Sequence, residues 1–225
     1  FFKVFLNDSF IAKNTLTEHD LNDSVFKEYM DYQNLIRPNN ASTTYLAKNN
    51  NLILRHNSLV SNNAKYKVVL LFRHPIDHAL SLKNQHYRFS KMQSKDSFVL
   101  EYMNWLGHHE FGLNHKAFGF DHLDLCNQFD TSSINYWISI WINYYTKLLS
   151  LENKDNMVIV NYEDLLNTPE SLLAALSTEL NLDLKVSNIE PFNKSSKPAS
   201  HVDESVKNRA LEVYEELQKM RLPIV

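Results

Sequence analysis

The chain has 225 residues, of which 44% are hydrophobic, 12% aromatic and 22% charged, a composition that supports a sizeable buried core and excludes a disordered chain. Its 23 Lys and Arg against 26 Asp and Glu leave a net charge of -3, which excludes an electrostatic grip on nucleic acid as the main role. No apolar run approaches the roughly 18 residues of a membrane span, the single Cys126 excludes an internal disulfide framework, and three glycines, Gly107, Gly112 and Gly119, cannot build GxGxxG or GxxxxGK[ST].

Residues 24–32 predict a helix, and Arg37-Pro38-Asn39-Asn40 reads as a break after it. Leu52-Ile53-Leu54 is a short strand candidate. Lys67 to Phe72 (KVVLLF) is the clearest strand, a continuous β-branched-rich run of the kind found in buried parallel sheets. Pro75 suits a first helical turn, and 75–92 predict a helix with Ile76, Ala79, Leu80 and Tyr87 on its apolar face. A further helix is expected over 97–106, after which the three glycines punctuate 107–119 into an irregular, His-rich loop. Ser132 or Ser133 caps a helix running to Ser150, with Trp137, Ile140, Trp141 and Tyr144 at helical spacing.

Met157 to Asn161 (MVIVN) predicts a second buried strand, and Pro169 opens a helix through Leu180. Residues 194–201 read as a polar loop. Asp203 and Glu204 then start a last helix along Val206, Ala210, Val213 and Leu217. Buried strands alternating with helices predict an α/β domain whose mostly parallel sheet is flanked by helices, as one unit over residues 1–225. Ligands of such sheets bind beyond the carboxyl ends of the strands, which directs attention to the residues after Phe72 and Val160.

Arg73 follows the first strand, and Ser81 lies eight residues later on the next helix. An arginine there can fork two N–H donors onto a phosphate or sulfate, and the helix starting at Pro75 aims its positive end at the same place. On a helical wheel Ser81 falls within roughly 20° of His74 and roughly 40° of Gln85. An Arg that pairs with a carboxylate and a Ser that faces solvent is the alternative.

In this context KVVLLFRHPIDHALSLKNQH resembles the nucleotide-binding segment of sulfotransferases that use 3′-phosphoadenylyl sulfate (PAPS): a hydrophobic strand, Arg-x-Pro, then Ser eight residues after the Arg. The resemblance implies that Arg73 and Ser81 hold the 3′-phosphate. A second stretch, NMVIVNYEDLLNTPESLLAALSTELNL, is similar to the family's later strand, Tyr-Glu-Asp-Leu turn and Pro-started helix, and it implies Tyr162 beside the adenine. The aromatic helix with Trp137, Trp141 and Tyr145 is also typical. Tyr45-Leu46-Ala47-Lys48-Asn49-Asn50 sits where many members have Lys-Thr-His, so Lys48 would reach the transferring sulfuryl group, with a surface lysine as the alternative. Lys194 and Lys197 stand where the family's late basic loop grips the 3′-phosphate.

The resemblance thus implies a P-loop NTPase-like sulfotransferase fold and transfer from PAPS to a hydroxyl or amine of an acceptor, such as a carbohydrate or small molecule. It implies no metal and no nucleic-acid partner. The family's Lys-Ser-Gly-Thr-Thr-like 5′-phosphosulfate loop has no counterpart, since Ala41-Ser42-Thr43-Thr44-Tyr45 lacks its lysine and glycine; the loop and its strand are expected to precede Phe1. Asn50 replaces the family's usual base. His109, Glu110 or His86 could serve instead, from a segment bordering the acceptor. The same segment invites a metal reading through His108, His109, Glu110, His115 and His122, but its spacing matches no standard ligand pattern. One cysteine fits a cytoplasmic setting, and a homodimer stays open. The competing readings are a non-catalytic or degenerate nucleotide-binding α/β protein and a P-loop-type kinase, for which Asp164 would be the Mg²⁺ ligand.

Overall fold

A computed structural model describes residues 1–6, 8–12, 14–37, 44–152, 154–184 and 201–224. In chain order the elements are α1 (Phe2–Phe5), β1 (Thr15–Leu16), α2 (Asp23–Ile36), a 3₁₀ helix (Leu52–Arg55), α3 (His56–Asn62), β2 (Val68–Phe72), α4 (Pro75–Gln93), α5 (Ser97–Trp105), β3 (Ala117–Phe118), α6 (Leu123–Cys126), α7 (Ile134–Ser150), β4 (Met157–Asn161), α8 (Tyr162–Asn167), α9 (Pro169–Leu180) and α10 (Glu204–Met220). Both sheets among the described residues are two-stranded and parallel, β1 with β3 and β2 with β4.

The helix starts follow their capping residues. Side chains of Asn22, Asp96, Ser133, Asn161 and Asp203 accept the first free N–H groups of α2, α5, α7, α8 and α10, as short polar side chains do at N-caps. Ser133 is thus the cap of α7, not Ser132, whose N–H turns to Asp130 Oδ1 instead.

Helix α7 is the centre of the main core. Trp137, Ile138, Trp141, Ile142 and Leu148 are at most 1% exposed, and they pack with Leu70 and Phe72 of β2, Ile159 of β4, Ala79 of α4, and Ala210 and Leu217 of α10. Asn143, also buried on α7, donates from Nδ2 to Phe118 O and accepts from His122 N at Oδ1, which fixes β3 and α6 against it. A second cluster forms around Phe2, Leu21, Tyr29 and Leu59, with Tyr45 and Tyr66 packed against it.

The register of the second sheet pairs Val68 with Met157 and ends with Phe72 beside Asn161. β4 is covered on both faces: Val158 and Val160 pack on Leu172 and Leu176 of α9, while Ile159 enters the main core. The reading of KVVLLF as a strand buried on both faces holds on one face only. Leu70 and Phe72 point inward, but Val69 and Leu71 stay half-exposed because α9 covers β4 alone.

Leu52-Ile53-Leu54 is not a strand. It is the 3₁₀ helix, with Ile53, Leu54 and Arg55 all buried. A three-residue apolar run carries no period of its own, and here its backbone groups are satisfied locally and by one loop: Leu54 N–H donates to Asn51 O, and Leu54 O accepts from His19 N. The polar stretch 194–200 lies outside the described residues.

Candidate functional site

Because Phe72 pairs with Asn161, the residues that follow, Arg73 and Tyr162, emerge side by side at the carboxyl end of the sheet. The Arg73 guanidinium carbon lies 5.0 Å from the centroid of the Tyr162 ring, a cation–π contact. The two strand–helix junctions are also joined through the backbone. His74 N–H donates to Glu163 Oε1 at 3.3 Å, and Asn161 Oδ1 accepts from Glu163 N at 2.9 Å. The Tyr145 hydroxyl of α7 donates to Leu71 O at 3.0 Å, just below. Tyr214 of α10 closes one side, its ring 5.6 Å from Phe72 and 5.4 Å from His74.

Three polar atoms at this junction are buried with no hydrogen-bond partner among the described residues: Arg73 Nε, His78 Nδ1 and Glu163 Oε2. Burial, and then the neighbouring Arg73 charge, pushes His78 down to about 4. At neutral pH the imidazole therefore adds no positive charge beside Arg73. Pro75 opens α4 here, so the free N–H groups of its first turn face the same end of the sheet. Ser81 is exposed on α4, six residues and about 9 Å along the helix axis from Pro75.

The remaining candidates gather elsewhere along α4. Lys48 is exposed, and two residues on Asn50 Nδ2 donates to Glu110 Oε1 at 2.6 Å. Asn51 Nδ2 donates to Gly107 O at 3.0 Å, so the segment carrying Lys48 is docked on the His-rich loop. That loop is fastened to the far half of α4: Gly112 N–H donates to His86 Nδ1 at 3.2 Å and Leu113 N–H to Gln93 Oε1 at 2.6 Å. Gly112 has φ +95°, and a Cβ there would sit 2.5 Å from the Gln93 amide, so only glycine permits the closure. Along the axis, His86 and Gln93 lie about 16 and 27 Å from Pro75. The structure therefore brings Arg73 and Tyr162 together, brings the Lys48 segment and Glu110 together, and puts a stretch of α4 between the two groups.

His109 is 4% exposed. Its Nδ1 donates to Asn114 O at 3.0 Å, its Nε2 is buried without a partner among the described residues, and burial lowers its pKa. His115 is used at both nitrogens: Nδ1–H donates to His109 O, and Nε2 accepts from the Tyr136 hydroxyl at 2.8 Å. Burial pushes it down to about 4. His122 faces Arg209 Nη2 at 3.0 Å. Of the donors in the metal reading, His108, Glu110, His115 and His122 hold other partners, and among the described residues no group of three or more His, Cys, Asp or Glu gathers into a metal site. Lys194 and Lys197 lie outside the described residues.

Sequence reasoning did not single out His78, Glu163 or Tyr214, and it named Tyr145 only as part of the aromatic helix. His78 was legible as the residue one turn beyond His74 on α4, and Glu163 as the neighbour of Tyr162. Tyr145 and Tyr214 arrive from other helices, and no local pattern announces their contacts at the end of β2.

With this geometry in place, the chain belongs to the sulfotransferase domain family, whose sequence model matches residues 10–220. None of the curated proteins matches the chain. No helix among the described residues is long and apolar enough to cross a membrane.

The buried imidazoles predict acid sensitivity. Both His78 and His115 bind a proton in the unfolded chain below about 6.5 but stay neutral in the folded one down to about 4. The unfolded state then holds more protons, so stability falls as pH drops through that window, by about 1.4 kcal/mol per pH unit for each histidine. His19, His86, His109 and His122 are shifted in the same direction. Denaturant titrations between pH 7 and 4 should show His115→Gln with a slope shallower by about one proton; an unchanged slope would refute the assignment.

Proposed function

We propose that the chain moves a sulfuryl group from PAPS to a hydroxyl or amine of an acceptor, on a P-loop-like α/β scaffold. The observation that supports this best is the pairing of Arg73 with Tyr162 at the carboxyl ends of two parallel strands. That arrangement sets a forked cation, an aromatic face and a helix N-terminus around one point. In this reading Arg73 and Ser81 hold the 3′-phosphate, Tyr162 lies beside the adenine, and Lys194 and Lys197 complete the grip on the phosphate.

The reaction is an in-line displacement. An acceptor oxygen or nitrogen attacks sulfur, the bond from sulfur to the 5′-phosphate oxygen breaks, and the acceptor's proton passes to a base. The leaving group is adenosine 3′,5′-bisphosphate. Lys48 stabilises charge on the departing oxygen. Glu110 takes the proton, held in place by Asn50 and by His108, whose Nδ1 lies 3.3 Å from both carboxylate oxygens; His109 is the neighbouring imidazole of the same loop. Placing these residues along the far half of α4 assigns that half to the acceptor. No step calls for a metal. The free thiol of Cys126, buried and raised to about 12, fits a reducing, cytoplasmic setting.

The kinase reading needs a carboxylate free for Mg²⁺ at a strand end. Asp164 is instead held by Arg221 Nη1, at 3.1 and 3.0 Å from its two oxygens, which favours the transferase.

Arg73→Ala is expected to weaken binding of adenosine 3′,5′-bisphosphate by about tenfold to a hundredfold, as for loss of a hydrogen bond to a charged group. Calorimetry checks this, and an unchanged affinity removes the nucleotide assignment. Glu110→Gln should lower sulfuryl transfer from labelled PAPS by about a hundredfold or more while leaving nucleotide affinity as it was. A variant that transfers at the original rate would show that the base lies elsewhere.

A further inference from the structure

Arg55, at the end of the 3₁₀ helix, is 2% exposed. Its guanidinium carbon lies 4.2 Å from the centroid of the Phe2 ring and 5.2 Å from that of Phe10. Nε donates to His19 Nε2 at 3.1 Å, and the other ring nitrogen of His19 donates to Thr17 O at 3.1 Å. That bond uses one of the five N–H donors a guanidinium carries. Among the described residues no carboxylate lies within 4.0 Å of it.

The phenols that face it supply no compensating charge. Tyr29 and Tyr66 face Arg55, but burial raises both phenols, Tyr29 to about 12 and Tyr66 further, so both are neutral. Burial also draws Arg55 itself down to about 10. A buried cation without a counter-ion is costly, and ring faces offset only part of that cost.

Arg55 and His19 both line a cavity of about 280 Å³, together with Glu18, Asp20, His56 and Ser58. Of the two carboxylates, Glu18 is held by Lys147 at 2.7 Å. Asp20 acts on His19, whose pKa it raises against the larger effect of burial. The Ser58 hydroxyl is occupied by the backbone of Leu21.

The cavity is far from the nucleotide end of the sheet. Tyr66, which faces Arg55, stands two residues before β2, whereas Arg73 follows its other end. Seven residues of extended chain between them span about 23 Å.

We propose that Arg55 anchors a second anion pocket, which takes a singly charged oxyanion on a small molecule: a carboxylate or a sulfate ester. The planar fork of donors matches both groups. One unpaired positive charge in a cavity that Glu18 and Asp20 also line favours a monoanion over a doubly charged phosphate monoester, because those carboxylates repel each added negative charge. The pocket holds its ligand whether or not the chain transfers sulfuryl groups, so its test is independent of that reading.

The test uses the full chain carrying Arg73→Ala, so that the nucleotide-end arginine gives no response. The ¹⁵N Nε–H resonance of Arg55, assigned by its loss in Arg55→Lys, is followed as sodium chloride is replaced by sodium acetate or sodium methyl sulfate at constant ionic strength. The proposal expects a saturable shift of that resonance with both probes and a weaker one with hydrogen phosphate at pH 8. As a second readout, both probes should raise Tm by mass action on the native state; Arg55→Met, which fills the space between the two phenylalanine rings, should abolish that rise. A shift with only one probe separates the carboxylate source from the sulfate-ester source. No saturable shift and no rise in Tm, or equal responses to chloride, would overturn the proposal.

Discussion

The register between β2 and β4 is the constraint on which the rest of the site depends. It sets Phe72, fully buried, beside Asn161, 2% exposed, and so delivers Arg73 and Tyr162 to one point. Because side chains alternate along a strand, a slip of one residue would turn Phe72 out of the core and move Arg73 to the wrong face. The register is held from three directions: by Leu70 and Phe72 against α7 and α10, by Val158 and Val160 against α9, and by the Tyr145 hydroxyl on Leu71 O. The core and the site are therefore one structural problem, and the aromatic richness of α7 serves both.

Helix α4 then acts as a ruler. Its first turn lies at the carboxyl end of the paired strands β2 and β4, with Arg73 just before it and the neutral His78 within it. Its last turns carry His86 and Gln93, to which the loop of residues 107–115 is fastened. Burial pushes His78 down to about 4, which keeps that imidazole neutral beside Arg73 at neutral pH. Glu110 accepts from the Asn50 amide and lies 3.3 Å from His108 Nδ1, which ties the loop to the segment carrying Lys48.

Much of this was legible in the sequence where the signal is local. KVVLLF and MVIVN read as strands, Pro75 and Pro169 as first helical residues, and Ser132 or Ser133 as a cap, because strand composition and capping chemistry act over a few residues. The parallel pairing followed from strands separated by helices. The pairing of Arg73 with Tyr162 was reachable because strand ends collect at one edge of such a sheet. Leu52-Ile53-Leu54 failed because three apolar residues suit a strand and a 3₁₀ turn equally; the bond from Leu54 N–H to Asn51 O closes the turn, and His19 N–H satisfies Leu54 O. The exposure of Val69 and Leu71 was hidden because it depends on where α9 lies. The enclosure of Arg55 by Phe2 and Phe10 was equally hidden, since it joins residues more than forty apart that no periodicity connects.

The most direct test of the account is a calorimetric titration of the unmodified protein with adenosine 3′,5′-bisphosphate, alongside 5′-AMP and ATP with Mg²⁺. The account predicts binding that depends on the 3′-phosphate, at least about tenfold tighter than 5′-AMP, the least expected of a charge-assisted contact, with ATP no better than 5′-AMP. Equal affinity for the bisphosphate and 5′-AMP, or a preference for ATP with Mg²⁺, would contradict the assignment of Arg73 and Ser81 to a 3′-phosphate.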